Sequence, residues 1–400
     1  MKGFLDRNRA SRMMADAGLD ALVLMQPETL RWATGSFPGV ATFWRRAGAA
    51  ALVVPADPAQ PLAAVVGDLQ AEEFRLQSGI EDIRTHPIWV DTAWYDGATI
   101  TPANQVKRPA TYDPMLGNQA LVAALGNRAG GKLGLELGFV PHADFAALAE
   151  ALPRARLVDC SRVVERMRAF KQVEEVALLE QAGRAAEAGT RAMLAELRAG
   201  HTTKQLVGIW REAAFEAAAR EGALGPVEGW AYIAIGEDGF APGGPARSGD
   251  VIKIDVGCVI NGYSSDSART AVLGSANAMT RKVHEALLDA FEAAAALLAP
   301  GTPLRAIHAA LHERMHRHGF PGFSRGHVGH SCGASIFSEE WPFISREAEE
   351  TVEPGMVLAL EAPWYVRGLG GFIIEDQFTI SDAGATPLWT LPRSLIVVDG

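Results

Sequence analysis

The sequence predicts an α+β protein with two domains: a smaller N-terminal α/β domain, then a C-terminal domain that combines an antiparallel sheet with helices. Three observations lead to this class. A chain of 400 residues is too long for one simple core. Up to about residue 160, short apolar runs alternate with helical patterns. Beyond that point, charged helices precede strand-like runs joined by tight turns. We therefore expect domains at residues 1–160 and 161–400.

The N-terminal domain alternates helix and strand. RNRASRMMADAG (7–18) has helical spacing and ends on Gly18, a residue typical of a helix C-terminus. Four apolar runs of strand length follow, bounded by Gly, Pro or Asp: DALVLM, GAAALVVPAD, PLAAVVGD and GKLGLEL. Residues 92–118 are rich in turn-forming residues, which predicts a loop.

The C-terminal domain begins with a long helical pattern over residues 163–200, and residues 203–222 predict a second helix. DVIKIDVGCVINGYSSDSARTAVLG (250–274) predicts two strands joined by Asn261-Gly262, a strong hairpin signal. Two further helical patterns and two further strand-like runs complete the domain: 281–300, 303–319, 355–365 and 370–381.

Composition excludes several classes of partner. The net charge is −10 and the chain has no long basic run, so a nucleic acid or an anionic membrane has little electrostatic attraction to it. The sequence has no apolar run of bilayer length, and its first residues lack the apolar stretch of a secretory signal. The three cysteines are widely spaced and odd in number, which is typical of reduced thiols. We therefore expect a cytoplasmic protein.

The predicted hairpin brings two aspartates to one face of the sheet. With a two-residue loop, the numbers of facing residues sum to 523, so Asp255 faces Ala268 and Asp266 is its diagonal neighbour. Diagonal Cα atoms lie about 7–8 Å apart, which lets both carboxylates enter one space. Like charges repel there unless a cation lies between them. The hairpin alone leaves open that both acids are merely solvated.

Three more donors follow in similar settings. His330 lies in the Gly-bracketed turn GHSCG, Glu361 ends the apolar run GMVLALE, and Glu375 lies in GGFIIED. A carboxylate at the end of a buried strand is costly unless it is paired or bound to a metal. Four carboxylates and one imidazole carry a charge of about −4, which two divalent cations would balance. Mixed oxygen and nitrogen ligands favour Mn, Co, Zn or Fe(II) over a thiolate metal.

These motifs resemble those of one family. DVGCVINGYSSDSART is similar to the D-x-G…G-Y-x-S-D-x-T-R-T signature of the pita-bread metallopeptidases, which include prolidase, aminopeptidase P, methionine aminopeptidase and creatinase. GHVGHSCG resembles the family's G-H-x-x-G element, VEPGMVLALEAPWY its E-P-G-M…E-P-x-Y element, and GGFIIED its R-I-E-D element. Upstream, VVERMRAFKQVEEVALLEQA resembles its linking helix and GLDALVLMQPETLRWATGSFPG its creatinase-type N-terminal domain.

The resemblance implies a pita-bread catalytic domain preceded by a smaller creatinase-type α/β domain. It implies a homodimer that hydrolyses small amides, as an Xaa-Pro dipeptidase or an aminopeptidase P-like enzyme does. Glu361 would shuttle a proton to the leaving nitrogen. The ligands of two divalent metal ions would be Asp255, Asp266, His330, Glu361 and Glu375.

Three departures from the family pattern concern the substrate. The family peptidases carry a histidine seven residues after the metal histidine, where this chain has Phe337. They carry another on the loop before the first aspartate, and residues 236–250 contain none. The arginine of R-I-E-D is Ile373. We expect other side chains to bind the substrate, with Trp44 in a lid over a partner subunit's site: His327, Phe337, Tyr365, Arg367 and Trp44.

Three alternatives remain open. A diverged member of the family would act on a non-peptide amide, a cyclic amidine or a small zwitterion, as a creatinase-like or ectoine-hydrolase-like hydrolase or as a lyase. The second alternative is a non-catalytic binding protein with this fold. A zinc protease is suggested by HERMHRHG (312–319), which fits H-E-x-x-H, but Gly322 stands where a metzincin has its third ligand. We expect the histidines of that helix to face solvent.

Overall fold

The computed structural model describes residues 3–39, 44–103, 106–223, 225–335 and 339–399. The chain divides into two compact units, Met1–Met167 and Arg168–Gly400. The division falls at the end of a helix that begins directly after the expected boundary at residues 160/161. None of the described helices is both long enough and apolar enough to cross a membrane.

The first unit is built on a six-stranded sheet in the order β4-β3-β2-β1-β7-β8. The central strands β1 and β2 are completely buried, and their residues are apolar because both faces of the sheet are covered. The four apolar runs predicted as strands are confirmed as β1, β2, β3 and β7. The strands of the sheet are β1 Ala21–Leu24, β2 Ala51–Pro55, β3 Ala63–Gly67, β4 Asp82–His86, β7 Lys132–Leu135 and β8 Arg156–Asp159.

Helices connect these strands, and the predicted first helix is confirmed. It ends at Gly18, whose φ of 61° is the left-handed conformation that glycine adopts without strain. The prediction of a loop over residues 92–118 is wrong in part, because that range holds the exposed hairpin β5 Ala93–Tyr95 and β6 Ile100–Pro102. It also holds the start of α4, which Asp113 caps. The helices are α1 Arg7–Ala17, α2 Pro27–Thr34, α3 Ala71–Ser78, α4 Pro114–Leu125, α5 His142–Ala151 and α6 Ser161–Arg168.

The second unit is built on an eleven-stranded sheet with the path β10-β11-β13-β19-β16-β14-β15. Four more strands belong to this sheet: β9 and β12 pair with β11, β20 pairs with β19, and β21 pairs with β13. Strands β17 and β18 form a separate hairpin. The strands are β9 Val227–Ala231, β10 Ala234–Ile235, β11 Val251–Ile260, β12 Tyr263–Ser264, β13 Ser267–Leu273, β14 His327–Ser331, β15 Glu340–Ser345, β16 Val357–Glu361, β17 Trp364–Val366, β18 Gly370–Phe372, β19 Glu375–Ser381, β20 Gly384–Pro387 and β21 Ile396–Val398.

The Asn261-Gly262 hairpin is confirmed together with its register. Both turn residues have positive φ, 49° and 79°, as the tightest two-residue hairpin turn requires. Ile260 pairs with Tyr263 next to the turn, and Asp255 pairs with Ala268 further along, as the arithmetic predicts. The turn therefore sets the positions of both hairpin aspartates.

The helices of the second unit are α7 Val173–Glu196, α8 Thr203–Arg220, α9 Ala278–Ala295 and α10 Leu304–Arg317. The expectation of one helix over residues 163–200 is wrong, because two helices, α6 and α7, cover this range and residues 169–172 separate them. Phe170 forms a β-bridge with Met356, and the backbone N–H of Lys171 donates to the Gly355 carbonyl. Gln172 and Glu175 then start α7 with reciprocal capping hydrogen bonds.

A buried ion cluster fixes the backbone of β19. The Arg269 side chain is 1% exposed, and its Nη2 donates to Asp376 Oδ1 at 2.8 Å. Its Nη1 donates to the carbonyl oxygens of Ala268 and Glu375 at 2.8 Å, which links β13 to β19. Arg393 Nε donates to the second Asp376 oxygen at 2.5 Å. Asp376 therefore serves as a structural anion between two arginines.

We predict that Arg269→Met destabilises the protein by about 3–5 kcal/mol, because it leaves a buried carboxylate short of charge and several carbonyl groups without a donor. Urea denaturation measures the change. The control is Arg314→Met, which removes an exposed arginine 3.5 Å from Asp289 and is expected to cost less than about 1 kcal/mol. Equal losses for the two variants would contradict this role of Arg269.

Candidate metal centre

The register of the large sheet sets the predicted acids in one row. Asp255 on β11 pairs with Ala268 on β13, Ala268 pairs with Glu375 on β19, and Glu375 pairs with Glu361 on β16. Asp266 directly precedes β13, and its carboxylate lies within 4.8 Å of those of Asp255 and Glu375. The small side chain of Ala268 leaves space in the middle of this row. We call Asp255, Asp266, Glu361 and Glu375 the carboxylate row.

His330 reaches the row from β14, which pairs with β16. Its Nδ1 lies 3.0 Å from the Ser331 carbonyl oxygen, which accepts only if Nδ1 carries the proton. The lone pair is then on Nε2, which lies 3.6 Å from Asp266 Oδ2 and 3.9 Å from Glu375 Oε1. A carbonyl that fixes the imidazole in this way is typical of histidines that ligate metals.

The carboxylates are crowded and buried. Oxygen atoms of Asp255, Asp266 and Glu375 lie within 4.8 Å of one another. Burial raises the pKa of Glu375 well above its usual range, and the charges of Asp266 and Glu361 raise it further. Burial also raises the pKa of Asp255, although Lys253 partly opposes this. Burial is the largest cause of both shifts, because it penalises the charged form of each carboxylate.

Glu361 stands at the end of the row beside two nitrogen donors. Arg325 Nη2 donates to Glu361 Oε1 at 2.9 Å, and His327 Nδ1 lies 3.4 Å from the same oxygen. The structure thus brings Asp255, Asp266, His330 and Glu375 into one cluster and sets Glu361 next to it, in contact with a cation and an imidazole.

The residues of this cluster fit a divalent metal. Their donor atoms are carboxylate oxygens and one imidazole Nε2, the mixed ligands that Mn, Co, Zn or Fe(II) bind. Asp266, His330 and Glu375 are each at most 3% exposed, so the site has little water to offset their charge. Cys332 lies beside the imidazole, with its Sγ 3.7 Å from His330 Nδ1 and within 4.8 Å of an Asp266 carboxylate oxygen. Burial raises the pKa of that thiol, which keeps it protonated.

The predicted substrate-binding residues have different surroundings. His327 touches Glu361, as described above. Tyr365 lies half-buried on β17, with its ring 5.6 Å from Lys253 Nζ and 5.4 Å from the ring of Phe240. Arg367 is exposed in the turn between β17 and β18.

Two further predictions lie elsewhere. Trp44 belongs to the first unit, where it stacks on Trp89 at 4.3 Å and remains 45% exposed. Phe337 lies outside the described residues, so the structure does not bear on it.

The expectation that the HERMHRHG histidines face solvent is wrong for His312 and for its neighbour His308, which are 9% and 3% exposed. His312 Nδ1 donates to the His308 carbonyl at 2.9 Å, and its Nε2 accepts from the Arg325 backbone N–H at 3.0 Å. His308 Nε2 donates to the Arg325 carbonyl at 3.0 Å. Both ring nitrogens of His312 are therefore occupied. Glu313 is exposed and pairs with Arg317.

Sequence reasoning missed two cations of the site. Lys253 Nζ lies 2.9 Å from Asp255 Oδ2, and the lysine side chain is only 5% exposed. The sequence does contain a signal for Lys253: it lies two residues before Asp255 on a predicted strand, and residues two apart on a strand face the same side. Arg325 had no such signal: it lies between α10 and β14, and its position depends on His308 and His312.

Comparison with known proteins gives matches to two family models. The profile of metallopeptidase family M24 matches residues 177–382, just over half of the chain, and that of the creatinase/prolidase N-terminal domain matches residues 7–170. An Xaa-Pro dipeptidase of Pyrococcus furiosus is 29% identical over 239 residues, which cover 58% of this chain and 67% of that protein.

Solved structures share the whole fold. An Xaa-Pro dipeptidase from Bacillus anthracis superposes with a TM-score of 0.78 at 20% identity, over 98% of both chains. The N-terminal domain of the FACT complex subunit SPT16 from chickpea reaches 0.72 at 16% identity, over 98% of this chain and 97% of that one. The fold alone therefore does not assign an activity. The family match does: this chain belongs to metallopeptidase family M24 and is a metal-dependent hydrolase with the pita-bread fold.

Proposed function

We propose that this protein hydrolyses small Xaa-Pro substrates, as an Xaa-Pro dipeptidase or an aminopeptidase P-type enzyme. The observation that carries the proposal is the cluster of Asp255, Asp266, His330 and Glu375 with Glu361 beside it, a full set of oxygen and nitrogen ligands on one buried face. The names of the matching relatives support the same substrate class.

Two divalent ions are proposed at this cluster, with Asp255, Asp266, His330, Glu361 and Glu375 as ligands. When bound, such ions polarise the scissile carbonyl and lower the pKa of the attacking water. Glu361 then has the acid–base role. Its carboxylate takes a proton from the attacking water and delivers it to the leaving nitrogen.

Arg325 and His327 provide the donors that this chain needs on the substrate side. Both contact Glu361 Oε1, so both are within reach of a substrate held beside it. Their N–H groups can stabilise the developing oxyanion in place of the two family histidines that are absent. Tyr365 is proposed to line the same space, and Arg367 and Phe337 to lie further out. A homodimer is proposed as well, with Trp44 acting at the partner's site.

The main alternative is a diverged hydrolase or lyase for a non-peptide amide or a small zwitterion. The absence of the two family histidines favours it, since Phe337 stands at one of the positions and residues 236–250 contain no histidine. Hydrolysis of Xaa-Pro dipeptides by the metal-loaded protein decides between the two. Bound metal without Xaa-Pro cleavage would favour the alternative.

The metal assignment predicts different outcomes for one substitution at two histidines. His330→Ala is expected to remove most of the bound Mn²⁺, because it deletes the nitrogen ligand. His312→Ala is expected to retain it, because both nitrogens of His312 bond to backbone groups. Inductively coupled plasma mass spectrometry after dialysis measures the content. Metal lost from His312→Ala and kept by His330→Ala would contradict the site and favour the zinc-protease motif.

The acid–base role predicts that Glu361→Gln lowers kcat for an Xaa-Pro dipeptide by about 10²–10⁴-fold, because an amide cannot carry the proton. Metal content is measured on the same sample, since Glu361 is also a proposed ligand. Glu313→Gln is the matched control: it changes the glutamate of the H-E-x-x-H motif, which is exposed, and is expected to leave kcat unchanged. A large loss in Glu313→Gln alone would refute the assignment.

A further inference from the structure

A lysine stands beside Asp255 at one end of the carboxylate row. Lys253 precedes Asp255 by two residues on β11, so its side chain lies on the face that carries the row. Nζ lies 2.9 Å from Asp255 Oδ2, and the two side chains are 5% and 16% exposed. A short, buried ion pair of this kind is a strong contact, because little water screens it.

Two acids of the row have a protein cation close to them. Asp255 is paired with Lys253, and Glu361 with Arg325. The remaining donors, Asp266, Glu375 and His330, are adjacent, with His330 Nε2 3.6 Å and 3.9 Å from oxygens of the two acids. A divalent ion that binds Asp255 or Glu361 must therefore compete with the cation already paired to that acid.

The two protein cations differ in how easily they can leave. The Arg325 side chain is 27% exposed and lies on the segment between α10 and β14, so it can exchange Glu361 for water. Lys253 lies on β11, which has paired strands on both sides, and the Tyr365 ring is 5.6 Å from its ammonium. Moving it off Asp255 would leave a buried charge without its partner, which is costly.

We propose that Lys253 is a built-in cation of the metal centre, which competes with a divalent ion for Asp255 and so sets the affinity of the second ion. The inference rests on the proposed metal site. One ion binds tightly at Asp266, His330 and Glu375. A second ion that uses Asp255 must displace an ammonium and remain close to it, so it binds more weakly.

The test is Mn²⁺ titration of the metal-free protein by isothermal calorimetry, with bound metal counted after equilibrium dialysis. The wild type is expected to bind one Mn²⁺ tightly and a second at least ten times more weakly. Lys253→Met and Lys253→Gln are expected to tighten the second ion at least tenfold, and to change the affinity of the first less than threefold. Lys253→Gln keeps a neutral N–H donor for Asp255, so the test can still be made if Lys253→Met fails to fold.

Two controls separate this effect from others. Lys253→Arg keeps the charge and is expected to behave as the wild type, which a role in packing alone would not predict. Lys282→Met removes a lysine from the surface of α9 and accounts for the change in net charge. An unchanged or weaker second ion in both neutral variants, with the first ion intact, overturns the role of Lys253. A wild type that binds no Mn²⁺ overturns the metal site itself.

Discussion

Four carboxylates share one face of a buried sheet, and their mutual repulsion constrains everything around them. The register aligns Asp255, Glu375 and Glu361 across four strands, where their side chains are at most 16% exposed. Cations must therefore lie close to these carboxylates to balance their charge. His330 turns a lone pair toward the row, Lys253 and Arg325 place cations at its two ends, and we propose that divalent metal supplies the remainder. The chain belongs to a family of metal-dependent hydrolases, and a metal bound at the row, as proposed above, would meet this charge requirement.

Hydrogen bonds on two sides hold the strands and segments that carry the row and its neighbours. Arg269 donates to the Glu375 carbonyl and to Asp376, so the strand that carries Glu375 is held from behind by a buried ion cluster. On the other side, His308 and His312 bind both backbone groups of Arg325, whose guanidinium contacts Glu361. The H-E-x-x-H pattern thus contributes to the site indirectly, through hydrogen bonds to a neighbouring segment.

Sequence reasoning could predict the features that follow from local rules. The Asn261-Gly262 turn fixes its own register, so the pairing of Asp255 with Ala268 followed from counting, and apolar runs identified the central strands. The approach of His330 and Arg325 depends on strands and loops distant in sequence, and no local rule gives it. The break between α6 and α7 is similar: the helical pattern continues through it, but Phe170 and Lys171 bond to a distant strand instead.

The central claim is that the row and His330 form a metal site, and anomalous diffraction tests it most directly. Crystals grown with Mn²⁺ would be measured at a wavelength where manganese scatters anomalously. The account predicts a strong difference peak between His330 Nε2 and the carboxylates of Asp266 and Glu375. A map without a peak there, or with its main peak at His308 and His312, would contradict it.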